Sequence, residues 1–238
     1  MATIDNAIIM AAGMGTRMRP LTYETPKPLV AVAGKPMIES AIEGLHANDI
    51  HDISIVVGYL AEKFDYLPTK YAGVKLIQNP YYLKYNNISS LYVARNELKN
   101  TIILDGDQLI KNPQILSRSF ERSGYAGAWV NQWTDEWIMH ADSDGVVTKC
   151  DRDGGQDGWR LYSLSKWTQD DSARLKKYLT VEFEQKHHYD IYWDDVAMFD
   201  YHEDFALTVL PIHETDIVEI DSLEQLKTVN QKIEKGLL

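Results

Sequence analysis

The chain has 238 residues, 45% of them hydrophobic and 25% charged, and carries a formal net charge of -11. That balance argues against a nucleic-acid partner, because gripping a phosphate backbone requires a basic surface. No run approaches the roughly 20 apolar residues of a membrane span, which argues against insertion. The first residues, Met-Ala-Thr-Ile-Asp-Asn, lack the basic and apolar segments of a secretory leader, and the lone Cys150 has no partner for an internal disulfide. The expected location is therefore cytoplasmic, and the expected organisation one large α/β domain over residues 1–238.

In chain order, Ala7 to Met10 is an apolar run with the length of a buried strand, and it empties into a small-residue loop with glycines at 13 and 15. Pro36 suits the first position of a helix, whose apolar side is Ile38, Ala41, Ile42 and Leu45. Ile53 to Val57 reads as a second strand ending at Gly58-Tyr59, a short helical segment runs through Phe64, and Val74 to Ile77 is a third strand. A polar, aromatic stretch from Tyr81 leads into a helix carrying Leu91, Val93, Ala94 and Leu98, and Thr101 to Leu104 is a fourth strand. Strands alternating with helices predict a mainly parallel sheet in a Rossmann-like three-layer α/β sandwich, with ligands at the carboxyl ends of the strands.

The second half is less regular and predicts a smaller mixed α+β part. Pro113 to Arg122 reads as a helix and Tyr125 to Asn131 as a strand. Trp137–Ala141 and Val146–Cys150 form a hairpin around Asp144-Gly145, and Asp151 to Gly158 is an acidic, glycine-rich loop. Cys150, in an alternating stretch without a His nearby, suits a small buried hydrophobe better than a nucleophile. A long amphipathic helix presents Leu175, Tyr178, Leu179 and Phe183 and ends near His187-His188, which read as exposed residues rather than metal ligands. After Val218 to Asp221, Ser222 with Gln225 makes a capping box for a last helix striped by Leu223, Leu226, Val229 and Ile233.

The loop after the first strand carries the chemistry. Positions without side chains let a polyanion approach the main chain, and successive amides in such a turn form an anion-binding concavity. Arg17, Arg19 and Lys27 add positive charge in the same stretch. A dinucleotide fingerprint fails because Met18 stands where the third glycine belongs, and Gly34-Lys35-Pro36 fails the Walker pattern. Asp105-Gly106-Asp107 closes the fourth strand. Carboxylates there are costly to bury unless a cation holds them, and a strand-end Asp facing a triphosphate suits Mg2+; the Asp-Gly pair also fits a plain turn. Asp221, at a strand-to-helix junction, either shares that metal or serves the helix dipole. Asn86 or Asn87 either caps the following helix or meets the edge of a base. Tyr192 and Trp193, flanked by acids in Asp190 to Asp195, are core anchors in one reading and part of a cage for a quaternary ammonium in the other, with Trp137 as a further wall.

GxGTRxRPLT followed by TPKPL resembles the signature loop of nucleotidyltransferases that join an NTP to a phosphorylated small molecule, a family that includes sugar-phosphate enzymes. Together with IVVGYL, YNNISSLY, DGD followed by KN, DEW, DIYWDD and EIDSLEQL, it resembles the bacterial CTP:phosphocholine cytidylyltransferases over nearly the whole chain. The resemblance implies that residues of about 1–110 bind the nucleotide and those of about 111–238 the acceptor. Arg17 and Lys27 are then catalytic, on the leaving pyrophosphate and on the α-phosphate with the incoming phosphate, and Asp107 and Asp221 bind Mg2+. Met10, Ala11, Ala12, Gly13, Met14, Gly15, Thr16, Gly58, Tyr59, Tyr85, Asn86, Asn87, Ser90 and Asp105 surround the nucleotide. Trp137, Tyr192, Trp193, Asp194 and Glu219 face the acceptor. The substrates implied are CTP and phosphocholine. Phosphoethanolamine, 2-aminoethylphosphonate or a sugar 1-phosphate are alternative acceptors, and a nucleotide-sensing module that has lost catalysis is the non-enzyme alternative.

Overall fold

The structure is a computed structural model that describes residues 1–236. Its centre is a nine-stranded sheet that takes strands from both halves of the chain. Four of them, β1 (Asn6–Ala11), β2 (Ile53–Val57), β3 (Val74–Gln78) and β4 (Thr101–Asp105), are parallel and lie in the order β3-β2-β1-β4. The chain reverses direction across the sheet between β1 and β4. Crevices open at the carboxyl ends of strands where such a reversal occurs.

The residues of β1 and β2 are buried on both faces, as sandwiching between two layers demands. Alternation sorts them. Ala7, Ile9 and Ala11 join a core with Ile38, Ala41, Ile42 and Leu45 of α1 (Met37–Ala47). Ile8, Met10 and Ala12 face the opposite core, with Ile88 and Leu91 of α2 (Ile88–Ala94) and Leu175 and Leu179 of α3 (Gln169–Thr180). Each fully buried Ile or Leu contributes about 1.5–3 kcal/mol, so these two layers fix where the loop after β1 emerges.

The second half adds β6 (Gly124–Val130), β7 (Ile138–Ala141), β8 (Val147–Asp151), β9 (Gly158–Trp167) and β10 (Thr208–Pro211). β9 pairs antiparallel with β4 and bridges the halves. Two further strands, β5 (Gln108–Ile110) and β11 (Ile217–Glu219), pair separately with Gln108 opposite Glu219, and α4 (Leu223–Glu234) closes the fold. A small core of Met18, Val30, Val32, Met37, Ile220 and Val229 seats α4 behind the loop that follows β1.

Two sequence expectations change. Pro113 to Arg122 is one 3-10 turn, Pro113–Leu116, because Ser119–Phe120 runs extended against Ala2–Thr3 and this edge pairing replaces further helix. The segment after Asp157 is the ten-residue strand β9, which no turn signal announced. The hairpin of β7 and β8 forms with Ile138 opposite Asp151, and Ser222 with Gln225 makes its capping box.

Candidate active site

Beyond Ala11 the chain leaves the sheet through Gly13 and Gly15. Gly15 has φ +58°, and a Cβ there would lie 2.8 Å from Lys27 Cβ, so the left-handed turn and the approach of Lys27 both require glycine. The Thr22 hydroxyl donates to Gly15 O at 2.8 Å. Tyr59 ties the turn down, its N–H donating to Ala12 O at 3.1 Å and its hydroxyl to Thr22 O at 2.8 Å. Among the described residues, the amides of Gly13, Met14 and Gly15 donate to no protein acceptor. They remain free for an anion.

The turn opens on a cleft of about 470 Å³ lined by Met10, Gly13, Gly15, Thr16, Arg17, Lys27, Pro28, Asn86 and Asp107. Charged groups from three distant parts of the chain meet there. The Lys27 ammonium lies 2.7 Å from Asp107 Oδ2 and 2.6 Å from Asp221 Oδ1, and Arg17 Nη2 is 2.7 Å from the same Asp221 oxygen. The Lys27 side chain is only 10% exposed. Burial alone would lower its pKa, but the two carboxylates outweigh that and raise it, so the lysine is charged. Asp107 follows β4 and Asp221 follows β11, and the β5–β11 ladder holds them together.

Not every candidate lines this cleft. Ala11 and Ala12 are buried behind it, and Met14 sits half-exposed in the turn. Gly58 clears the Tyr82 ring, which a Cβ would meet at 2.8 Å. The Ser90 hydroxyl is buried and accepts from Asn79 Nδ2 at 2.9 Å, and the Tyr85 ring stacks on Tyr189 at 4.0 Å; both brace the wall from behind. The asparagines do not cap α2 with their side chains. Asn86 Nδ2 instead donates to Asp190 O at 3.0 Å, and Asn87 Oδ1 accepts from Trp193 N–H at 2.9 Å, pinning the 190–195 segment to the cleft. Desolvation, then the charges of Asp107 and Asp194, push Asp105 well above the usual carboxylate range.

On the acceptor side two candidates are corrected. Trp193 is fully buried against Tyr125 and Trp167, with ring centroids 5.8 and 6.2 Å away, so it is a core anchor and not a cage wall. Asp194 is buried beside Tyr125, and desolvation raises its pKa to about 7. Its neighbour Asp195, about 100° further round the short helix Trp193–Asp195 and equally buried, points instead toward Arg152, which lies 2.7 Å away. Trp137 packs edge-on against Tyr192 at 6.0 Å and against Phe199 at 5.3 Å, making a three-ring box. Tyr192 is 48% exposed. Glu219 pairs with Arg160 at 2.5 Å and Gln108 at 3.1 Å, and lines a groove of about 820 Å³ with Glu136, Arg160 and Asp221. Its pKa is raised by desolvation against the opposing pull of Arg160.

Sequence reasoning missed Phe199, Arg152 and Arg160. Phe199 falls seven residues after Tyr192, a spacing of two helical turns that signals a shared side. Nothing in the sequence distinguished the two arginines. Cys150 is partly buried, and desolvation lifts its thiol to about 12, in keeping with an inert position.

Residues 6–130 match the family described as Nucleotidyl transferase. The 2-aminoethylphosphonate cytidylyltransferase of Lancefieldella rimae is 39% identical over 93% of this chain and 90% of its own length. The choline-phosphate cytidylyltransferase of Streptococcus pneumoniae is 37% identical over 94% of this chain and 96% of its own. The solved structure of CTP:phosphocholine cytidylyltransferase from Streptococcus pneumoniae superposes with a TM-score of 0.90 at 35% identity, covering 97% of this chain and 99% of that one. The inositol-1-phosphate CTP transferase of T. maritima, at 16% identity and a TM-score of 0.73, shares the fold. By sequence, by architecture and by the charged cleft at the head of its parallel strands, this chain belongs to the nucleotidyl transferase family.

Proposed function

We propose that the chain transfers the cytidylyl group of CTP to phosphocholine, giving CDP-choline and pyrophosphate. The observation that carries the reading is the meeting of Lys27, Arg17, Asp107 and Asp221 beside the free amides of the glycine turn, within a chain similar to cytidylyltransferases over nearly its whole length. A phosphate oxygen of the acceptor attacks the α-phosphorus in line as pyrophosphate departs, so positioning and charge stabilisation carry the catalysis. The turn's amides hold the triphosphate. Lys27 exchanges its carboxylates for the α-phosphate and the incoming phosphate, and Arg17 neutralises the pyrophosphate.

The donor set fits Mg2+. Two carboxylates from distant segments already share one positive charge, the Lys27 ammonium, and magnesium asks for one or two carboxylates with phosphate oxygens and water completing its shell. Bound by Asp107 and Asp221, it supplies Lewis acidity and a template for the phosphates. The test is pyrophosphate release across four NTPs and a panel of phosphorylated amines and sugars, with and without EDTA. The expected result is turnover with CTP and phosphocholine, abolished by chelation and restored by Mg2+. Equal turnover of glucose 1-phosphate would overturn the acceptor assignment. Asp107→Asn and Asp221→Asn should each raise the Mg2+ concentration for half-maximal rate.

A second reading is favoured by the 39% identity to a 2-aminoethylphosphonate enzyme: an acceptor with a primary ammonium, which unlike choline donates hydrogen bonds to a carboxylate. Side-by-side kcat/KM values for phosphocholine, phosphoethanolamine and 2-aminoethylphosphonate separate the two.

A further inference from the structure

The box made by Trp137, Tyr192 and Phe199 holds a cation that belongs to the chain itself. Arg152, in the loop after β8, places its guanidinium carbon 3.9 Å from the Phe199 ring centroid and 5.5 Å from that of Trp137. One of its nitrogens lies 2.7 Å from Asp195 Oδ1. Two rings and a carboxylate around one positive charge, with Tyr192 packed edge-on against one of those rings, are the recognition chemistry of an organic ammonium.

The partners differ in how firmly they are placed. The Asp195 side chain is 3% exposed, and its other oxygen accepts from the Tyr192 N–H at 2.8 Å, so the carboxylate is fixed to the segment that carries the box. The Arg152 side chain is 45% exposed. Its loop contains Gly154, with φ +86°, and Gly155. The arginine can rotate into water without unpacking a core; Asp195 cannot follow.

We propose that Arg152 is a specificity-determining residue, a resident cation that occupies the acceptor's ammonium site and yields it only to another positive charge. A phosphorylated amine replaces both the ring contacts and the partner of Asp195. A neutral acceptor that displaced the arginine would leave a buried carboxylate unpaired, which is strongly disfavoured. The inference rests on the proposed acceptor class and deepens it, since it supplies a reason for rejecting sugar phosphates that ring stacking alone does not give.

The test uses choline chloride and its uncharged analogue 3,3-dimethylbutan-1-ol as calorimetric probes on the full chain, comparing wild type with Arg152→Ala, Arg152→Gln and Arg152→Lys. Glutamine retains a stem and a hydrogen-bond donor for Asp195 should the alanine variant fold poorly. Removing the competitor should tighten choline binding roughly tenfold in the glutamine and alanine variants, on the scale of one cation–ring contact, and should relieve the neutral probe of the same displacement cost while choline remains the tighter ligand, since only a cation pairs with Asp195. In steady-state assays the KM for phosphocholine should fall by a similar factor, the KM for CTP should move less than twofold, and lysine should restore the wild-type value. Choline binding that is unchanged or weaker in both uncharged variants overturns the proposal. Because choline binding needs no turnover, the two readings fail separately. A gain in choline affinity without pyrophosphate release from any amine acceptor removes the proposed reaction and leaves the box. Turnover of phosphocholine with no change on substitution removes the role of Arg152 alone.

Discussion

At the phosphate-loop end of the site the anion-facing groups are main chain and short-range: a glycine turn, free amides, and the positive charges of Arg17 and Lys27 from one continuous stretch of sequence, with Asp107 and Asp221 brought in from elsewhere. At the aromatic end they are side chains brought together from the residue before β7, the loop after β8 and the 192–199 segment, none of them adjacent in sequence. The first end is rigid because it hangs on strands buried on both faces. The second is built on short and irregular helical turns, including the wide turn Val196–Asp200, and one of its partners is an exposed arginine. In the proposed reaction, such a site keeps its chemistry on the firm side and its choice of acceptor on the adaptable side.

Substitutions can break that contrast, beginning with the largest expected effect. Lys27→Ala should lower kcat/KM about a thousandfold, or roughly 4 kcal/mol, measured by pyrophosphate release, because a buried charge aimed at the reacting phosphate is lost. A loss under tenfold would place the phosphate elsewhere. Trp193→Ala should cost about 3–5 kcal/mol of stability in urea unfolding, as a buried indole leaves a cavity. Trp137→Ala should instead leave stability within about 1 kcal/mol and raise the KM for phosphocholine; reversed outcomes would exchange wall and core.

Asp194 gives a pH test. Its folded pKa, about 7, lies above the usual carboxylate value, so the folded chain binds a proton that the unfolded chain releases. That contribution is full below about pH 4 and is lost as pH rises through about 7. Asp194→Asn should therefore flatten the fall in stability across this window and stabilise the protein at pH 8 by on the order of 3 kcal/mol. A steeper fall in the variant would reverse the sign. Smallest, Gly15→Ala should cost about 1–2 kcal/mol of stability through its left-handed φ and the contact with Lys27 Cβ, and raise the KM for CTP. No change in either would free the turn from its dependence on glycine.

The same contrast explains what could be read before folding. Ala7 to Met10, Ile53 to Val57 and Thr101 to Leu104 announce themselves because strands buried on both faces are continuous apolar runs, and the glycine turn with Lys27 is local in sequence. The convergence of Asp107 with Asp221 stood as one of two readings of a strand-to-helix Asp, and only family resemblance chose between them, since no local signal spans more than 100 residues. Trp193 and Asp194 misled because burial depends on which way a three-residue helix faces, and a string of alternating rings and acids does not encode that. Arg152 stands in an acidic, glycine-rich loop, where composition suggests mobility and nothing indicates a partner 43 positions on. β9 was passed over because its alternation is broken by the polar residues that bond across to the sheet's other half.

The three-residue ladder between β5 and β11 acts as a ruler. With Gln108 set opposite Glu219, the spacing of the two aspartates is fixed by main-chain hydrogen bonds and not by the ion they would share. The closing helix α4 is consequently no appendage. Shortening the protein from that side as far as residue 216 would leave the nine-stranded sheet its strands and strip the charged cleft of Asp221, the carboxylate that Lys27 and Arg17 have in common.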